Sequence, residues 1–103
     1  MTATIIDGKA IGARMLDATS AEAAMLANAG WAPRLVSISV GDVAAAELYV
    51  RNQSNHAARA GVAFEARNYD ADISLEQLIG VLHGLNADPR VNGIIIQRPL
   101  PAH

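Results

Sequence analysis

Cysteine is absent from the 103-residue chain. That excludes disulfides, thiolate nucleophiles and thiolate metal sites, and it fits a reducing compartment. Lysine occurs once, at Lys9, beside Gly8 at the expected start of a helix, where a solvated role is the bland reading. Any mechanism that needs an amine must use that side chain or fail. No segment approaches the ~18 consecutive apolar residues of a membrane-spanning helix. The start, Met1-Thr2-Ala3-Thr4, lacks the basic and apolar regions of a secretory signal. Net charge is −2 and the basic residues do not cluster, which leaves no nucleic-acid footprint and no polybasic membrane patch. A phosphate-binding loop is missing too, since Gly8-x-x-x-Gly12 has neither the strand-turn-helix glycine pattern nor a following Gly-Lys-Ser/Thr. His56, His83 and His103 have no metal-ligand spacing, so surface or internally satisfied rings are expected and no metal site. The expectation is a cytoplasmic protein that engages neither nucleic acid nor membrane.

What the chain does have is apolar residues at 51% of positions, enough for one core. Its length suits a single compact domain, of a size that is only marginally stable. Thr4-Ile5-Ile6 reads as a short strand that stops at Asp7-Gly8. A helix is expected over Ala10 to Asn28, where Ile11, Met15, Ala18, Ala21 and Met25 recur at helical spacing. Gly30 and Pro33 end it. Leu35 to Val40 reads as a strand with one apolar face (Val36, Ile38, Val40) and one small polar face (Ser37, Ser39). Asp42 is placed to cap a helix running to about Ala60, on which Glu47 and Arg51 are spaced to pair.

Val62 to Tyr69 is a weaker strand. Ser74-x-x-Gln77 has the spacing of a capping box and opens a helix with the stripe Leu75, Leu78, Ile79, Leu82 and Leu85. Gly93 to Gln97 is β-branched and apolar on both faces, as in a strand covered by helices on each side. Strands alternating with helices imply an α/β three-layer sandwich, with a mostly parallel sheet of about four strands flanked by helices. No helix follows the last strand. A natural domain can end so, but a cut within a longer protein is the stronger expectation.

Tyr49, Gln53 and His56 fall on one face of the second helix. They make either a polar ledge over a ligand or a half-exposed helix face, and position alone favours the second. Gln97 stands where a buried strand emerges, the end at which open α/β sheets bind ligands. Ligand contact and a local backbone bond are equal readings there. Gln97-Arg98-Pro99-Leu100-Pro101 is stiffened by its prolines.

These residues also carry a resemblance. Gly41-Asp42 followed by Tyr49-Val50-Arg51-Asn52 resembles the segment of methylenetetrahydrofolate dehydrogenase/cyclohydrolases that reads glycine, a short loop, then Tyr-Val-x-x-Lys. Leu85-Asn86-Ala87-Asp88, then Ile94-Ile95-Ile96-Gln97-Arg98-Pro99-Leu100-Pro101, resembles that family's second signature. Asp7-Gly8-Lys9 and the Arg34 to Val40 strand fit as well, so the resemblance spans essentially the whole chain.

The resemblance implies that residues 1–103 are the N-terminal folate-binding domain of a two-domain enzyme, usually a homodimer. The enzyme oxidises 5,10-methylenetetrahydrofolate to the methenyl form by hydride transfer to NADP or NAD, and often hydrolyses that product to 10-formyltetrahydrofolate. The implied substrate-binding positions are Tyr49, Val50, Arg51, Asn52, Gln53, Ile96, Gln97, Arg98, Pro99 and Leu100. Tyr49 would stack on the folate, Gln97 would contact the pterin or the catalytic side chain, and Pro99-Leu100 would line the pocket. The implied catalytic positions are Gln53 and Gln97.

Three departures follow. Gln53 stands where the family carries its lysine. An amide cannot donate or take a proton at neutral pH as a tuned amine does, so cyclohydrolase activity is expected to be absent or very weak. Arg98 replaces a leucine or methionine, and an outward-pointing side chain ranks ahead of a partner for a ligand carboxylate. The chain stops at His103, without the family's next motif or its C-terminal NAD(P)-binding Rossmann domain, so this chain alone is not expected to bind the nucleotide. The alternatives are a folate-binding or regulatory paralogue without turnover, and a ligand-free structural or dimer-forming domain.

Overall fold

A computed structural model describes residues 2–42 and 44–103. Its elements are α1 (Gly8–Asn28), β1 (Arg34–Val40), α2 (Ala44–Ala60), β2 (Ala63–Tyr69), α3 (Leu75–Ala87) and β3 (Gly93–Ile96). The strands form one sheet in the order β2-β1-β3, and both pairings of β1 are parallel. The α/β class, the parallel sheet and the flanking helices agree with the sequence reading. The strand number does not, because three strands form among the described residues rather than about four.

The strand expected at Thr4-Ile5-Ile6 is absent. Ile5 and Ile6 are 91% and 82% exposed, so these residues have β-branched character but pair with neither edge of the sheet. A strand gains its stability from ladder bonds and from cross-strand packing, and here neither is available.

Side chains alternate between the two faces of a strand, and β1 uses this to separate two environments. Val36, Ile38 and Val40 point to one face and Ser37 and Ser39 to the other. The register sets Val36 beside Ile94 and Ile38 beside Ile96, and on the other side sets Ile38 beside Arg67 and Val40 beside Tyr69. On this apolar face α3 lays down Leu85, with Leu78, Val81 and Leu82 around it, over Val36 and Ile38. Val36 and Ile38 are fully buried.

The chain steps from β1 to β2 in one direction and from β2 past β1 to β3 in the other. Right-handed crossovers of opposite direction put their helices on opposite faces. Accordingly α2 lies over the serine face, and α1 packs against α2.

Local signals fix the helix ends. Asp7 Oδ1 accepts from the Ala10 N–H at 3.1 Å, so α1 starts earlier than its apolar spacing suggests. The capping box forms as expected: Ser74 Oγ accepts from the Gln77 N–H and Gln77 Oε1 from the Ser74 N–H, both at 3.1 Å. The cap expected from Asp42 turns on Val43, which lies outside the described residues.

Three further expectations change. α1 covers the fold with Leu16, Ser20 and Ala23 rather than with its most regular apolar stripe, and Met15 and Met25 stay 66% and 71% exposed. β3 is less deeply covered than expected, with Ile94 and Ile95 half-buried and Ile96 39% exposed. Glu47 and Arg51 do not pair. The ion pairs among the described residues are Glu65 with Arg34 at 3.0 Å and with Arg67 at 2.8 Å. A solvated helical pair gains only about 0.3–0.5 kcal/mol, which the side-chain entropy cost readily offsets. Arg67 is held further toward its charged form, first by the Tyr69 hydroxyl and then by Glu65.

The packing ranks two substitutions. Ile38→Ala should cost about 2–5 kcal/mol through lost burial and an added cavity. Ser74→Ala should cost about 0.5–2 kcal/mol through a lost cap. Urea unfolding of the two variants measures both, and equal costs would contradict a core centred on β1.

Candidate functional site

The carboxyl ends of the strands and the facing turns of α2 enclose an open cavity of about 580 Å³. Its floor is the serine face of the sheet: Ser39 from β1, Phe64, Ala66 and Asn68 from β2, and Gln97 just past β3. Its wall is α2, through Ala46, Glu47, Val50, Arg51 and Ser54. Gly41, Asp42, Arg98 and Pro99 complete the rim. Wall and rim together thus carry two carboxylates, Asp42 and Glu47, and two guanidiniums, Arg51 and Arg98, while the floor is uncharged.

Backbone geometry sets this end of the sheet. Gly41 turns the chain out of β1 at φ +85°, a conformation glycine adopts without a Cβ clash. Its N–H donates to the Tyr69 carbonyl at 2.8 Å. Asn68 Nδ2 donates to Ser39 Oγ at 3.0 Å and to the Gly41 carbonyl at 2.9 Å, which ties β2 to the turn. The Gln97 N–H donates to the Ile38 carbonyl at 2.8 Å, extending the β1–β3 ladder by one bond. The Arg98–Pro99 peptide bond is cis.

That extra bond keeps Gln97 in the strand alternation, on the same face as Ile95 and Ser37. The Gln97 side chain is 6% exposed, and its Nε2 donates to Ser37 Oγ and to Gln53 Oε1, each at 2.8 Å. Gln53 and Gln97, far apart in sequence, are therefore in direct contact across the α2–sheet interface. No buried side-chain polar atom among the described residues lacks a partner.

Of the residues singled out from sequence, Val50, Arg51, Gln97, Arg98 and Pro99 line the cavity together. Gln53 reaches it through its bond to Gln97. Tyr49, 60% exposed, lies one turn before Gln53 and outside the lining. Asn52 also lies outside, its carbonyl bonded to the His56 ring at 2.8 Å. Ile96 points to the apolar face, and Leu100 lies on a separate small cleft with Val40, Ile73 and Leu78. Arg98 is exposed and stands on the rim of the cavity. Lys9, the single amine, is exposed at the start of α1 and is not part of the lining.

The sequence reading missed Ser37, Asn68 and Glu47 as site residues. Serines on alternate positions of an otherwise apolar central strand were a signal for the first, because a buried hydroxyl needs a partner. Asn68 and Glu47 carried no comparable signal.

The family model "Tetrahydrofolate dehydrogenase/cyclohydrolase, catalytic domain" matches residues 6–103. The chain belongs to this family. The bifunctional protein FolD 2 of Mesorhizobium japonicum is 48% identical over 98 residues, covering 95% of this chain and 32% of that protein. The FolD methylenetetrahydrofolate dehydrogenase/cyclohydrolase of Campylobacter jejuni superposes with a TM-score of 0.93 at 30% identity, over 97% of this chain and 36% of that one. The Trypanosoma brucei methylenetetrahydrofolate dehydrogenase-cyclohydrolase, solved with NADP cofactor and inhibitor, gives a TM-score of 0.85 at 29% identity, over all of this chain and 36% of its own. This tetrahydrofolate dehydrogenase/cyclohydrolase chain thus spans about a third of the length of these relatives.

Within it, the Gln53–Gln97–Ser37 contact is the feature most open to measurement. Gln97→Leu should destabilise by about 1–3 kcal/mol, because it strands the Ser37 hydroxyl and the Gln53 carbonyl. Adding Ser37→Ala should recover part of that loss, since removing both partners of a buried bond costs less than removing one. A urea-unfolding double-mutant cycle checks this, and simple additivity would contradict it.

Proposed function

We propose that this domain binds a reduced folate in the cavity beside Gln97, as part of a longer enzyme that oxidises 5,10-methylenetetrahydrofolate to 5,10-methenyltetrahydrofolate. The observation that carries the reading is the Gln53–Gln97 bond at 2.8 Å. The two residues implied as catalytic by resemblance meet at the carboxyl ends of the strands, against a cavity large enough for a pterin and part of its side arm.

In the oxidation, a hydride leaves the methylene carbon with its bonding pair and the cationic methenyl form remains. The chain carries no glycine-rich nucleotide fingerprint. The hydride would therefore pass to an NADP or NAD held by another domain of the full-length protein. This domain's residues bind and orient the folate, and orientation is the larger requirement for a transfer of this kind. The oxidation needs no proton donor from Gln53.

Hydrolysis of the methenyl form differs. Water adds to the methenyl carbon, a proton must leave, and the ring opens to 10-formyltetrahydrofolate. A positioned amine assists such proton movements, whereas Gln53 and Gln97 offer only neutral hydrogen bonds. The proposed enzyme is therefore a dehydrogenase with an impaired cyclohydrolase step, cytoplasmic, and a homodimer when full length. The second reading, a folate-binding paralogue without turnover, draws on the same Gln53 and shares the binding step.

Two measurements test this. A reduced folate at a hundred times its dissociation constant should stabilise the full-length protein by about 2.7 kcal/mol; no rise in Tm would count against any folate site. Gln53→Lys in the full-length protein should raise the rate of methenyltetrahydrofolate hydrolysis by about 10²–10⁴-fold, followed by loss of the methenyl absorbance. Hydrolysis already fast with Gln53 would refute the assigned defect.

A further inference from the structure

The Gln97 amide has two hydrogens, and both are taken. One bonds the Ser37 hydroxyl and the other the Gln53 carbonyl, each at 2.8 Å. Ser37 is 1% exposed and lies at the centre of the middle strand, with its register partner Ile95 two residues before Gln97. It cannot swing away, because a strand residue flanked by ladders on both sides has a fixed backbone and a short side chain. Gln97 is held at its backbone as well, through the Ile38 carbonyl.

An amide with both hydrogens committed has only its oxygen left to offer. Gln97 Oε1 has no donor among the described residues, and Gln97 lines the cavity. Gln53 is in the opposite condition. Its oxygen is committed to Gln97, and its Nε2 remains as a donor, since it has no acceptor among the described residues.

We propose that Ser37 is a positioning residue that anchors the Gln97 amide while the Gln53 carbonyl sets its direction, so that the site presents a hydrogen-bond acceptor from Gln97 beside a donor from Gln53. The ligand edge this pair takes carries an N–H next to a carbonyl or ring nitrogen, as a cyclic amide does. This rests on the folate reading for the ligand, since a pterin ring carries such an edge, but the anchoring by Ser37 is a property of the free protein.

The test reads the two parts separately. In the full-length protein, labelled with nitrogen-15 at glutamine side chains, the Gln97 NH₂ pair should be protected from hydrogen exchange without ligand. Ser37→Ala should speed that exchange about tenfold or more, and Ser37→Thr, which keeps a hydroxyl on a strand position that suits a β-branched residue, should restore the protection. Ser37→Ala should also weaken reduced-folate binding by about three- to tenfold, the worth of one hydrogen bond, with the Thr variant again near the parent. Fast exchange of the Gln97 NH₂ in the unaltered protein would overturn the proposal, because the amide would then face the cavity with its nitrogen. Equal exchange in the Ser37→Ala variant and the parent would also overturn it. If the parent binds no reduced folate, the folate reading fails on its own, and the exchange result still decides the role of Ser37.

Discussion

The two-residue period of β1 is the constraint from which the rest of this domain follows. β1 is paired on both sides, so its side chains have two directions available and no others. One direction receives Val36 and Ile38 and becomes the core under α3. The other receives Ser37 and Ser39, which cannot be buried without partners. Polar residues from β2, from the end of β3 and from α2 therefore gather there, and the face that could not become a second oily core becomes the floor of a cavity. A shift of register by one residue would exchange the two faces, losing core and site together.

Chain connectivity adds the second condition. The crossovers on either side of β1 run in opposite directions, so α2 and α3 must cover opposite faces. That places α2 over the serine face, and its Gln53 above Gln97. It also opens the carboxyl end of the sheet beside β1, where doubly wound folds take their ligands. The site is thus built from all three strands and one helix, and no short stretch of sequence contains it.

This explains what could be read without coordinates. Ser74 and Gln77 announced α3, and Val36 to Val40 announced a two-faced strand, because caps and periodicities are local properties. The contact between Gln53 and Gln97 was legible only through family resemblance, since nothing local brings residues on a helix and a strand end together. The strand at Thr4 to Ile6 failed for the complementary reason. Its propensity is real, but a strand needs a neighbour, and propensity says nothing of whether one is there. The face that α1 buries was misjudged in the same way: Leu16, Ser20 and Ala23 are the α1 residues that lose exposure where α1 packs against α2, and the regularity of the Ile11 to Met25 stripe does not reveal that face.

The amide at position 53 then has a consequence beyond the missing proton donor. A lysine can only donate, so a lysine at this position would require the Gln97 oxygen to turn toward it. The Gln97 nitrogen would then face the cavity as a donor. A glutamine can accept, and here it does, which turns the Gln97 amide the other way and leaves its oxygen as the group toward the cavity. Ser37 fits either arrangement, because a hydroxyl both donates and accepts. The exchange of one side chain therefore removes acid/base capacity and also inverts the hydrogen-bonding sense of its neighbour. Since a buried polar group facing its own kind costs more than a typical bond gains, that inversion would act on which ligand edge the proposed site accepts, independently of whether any proton is moved.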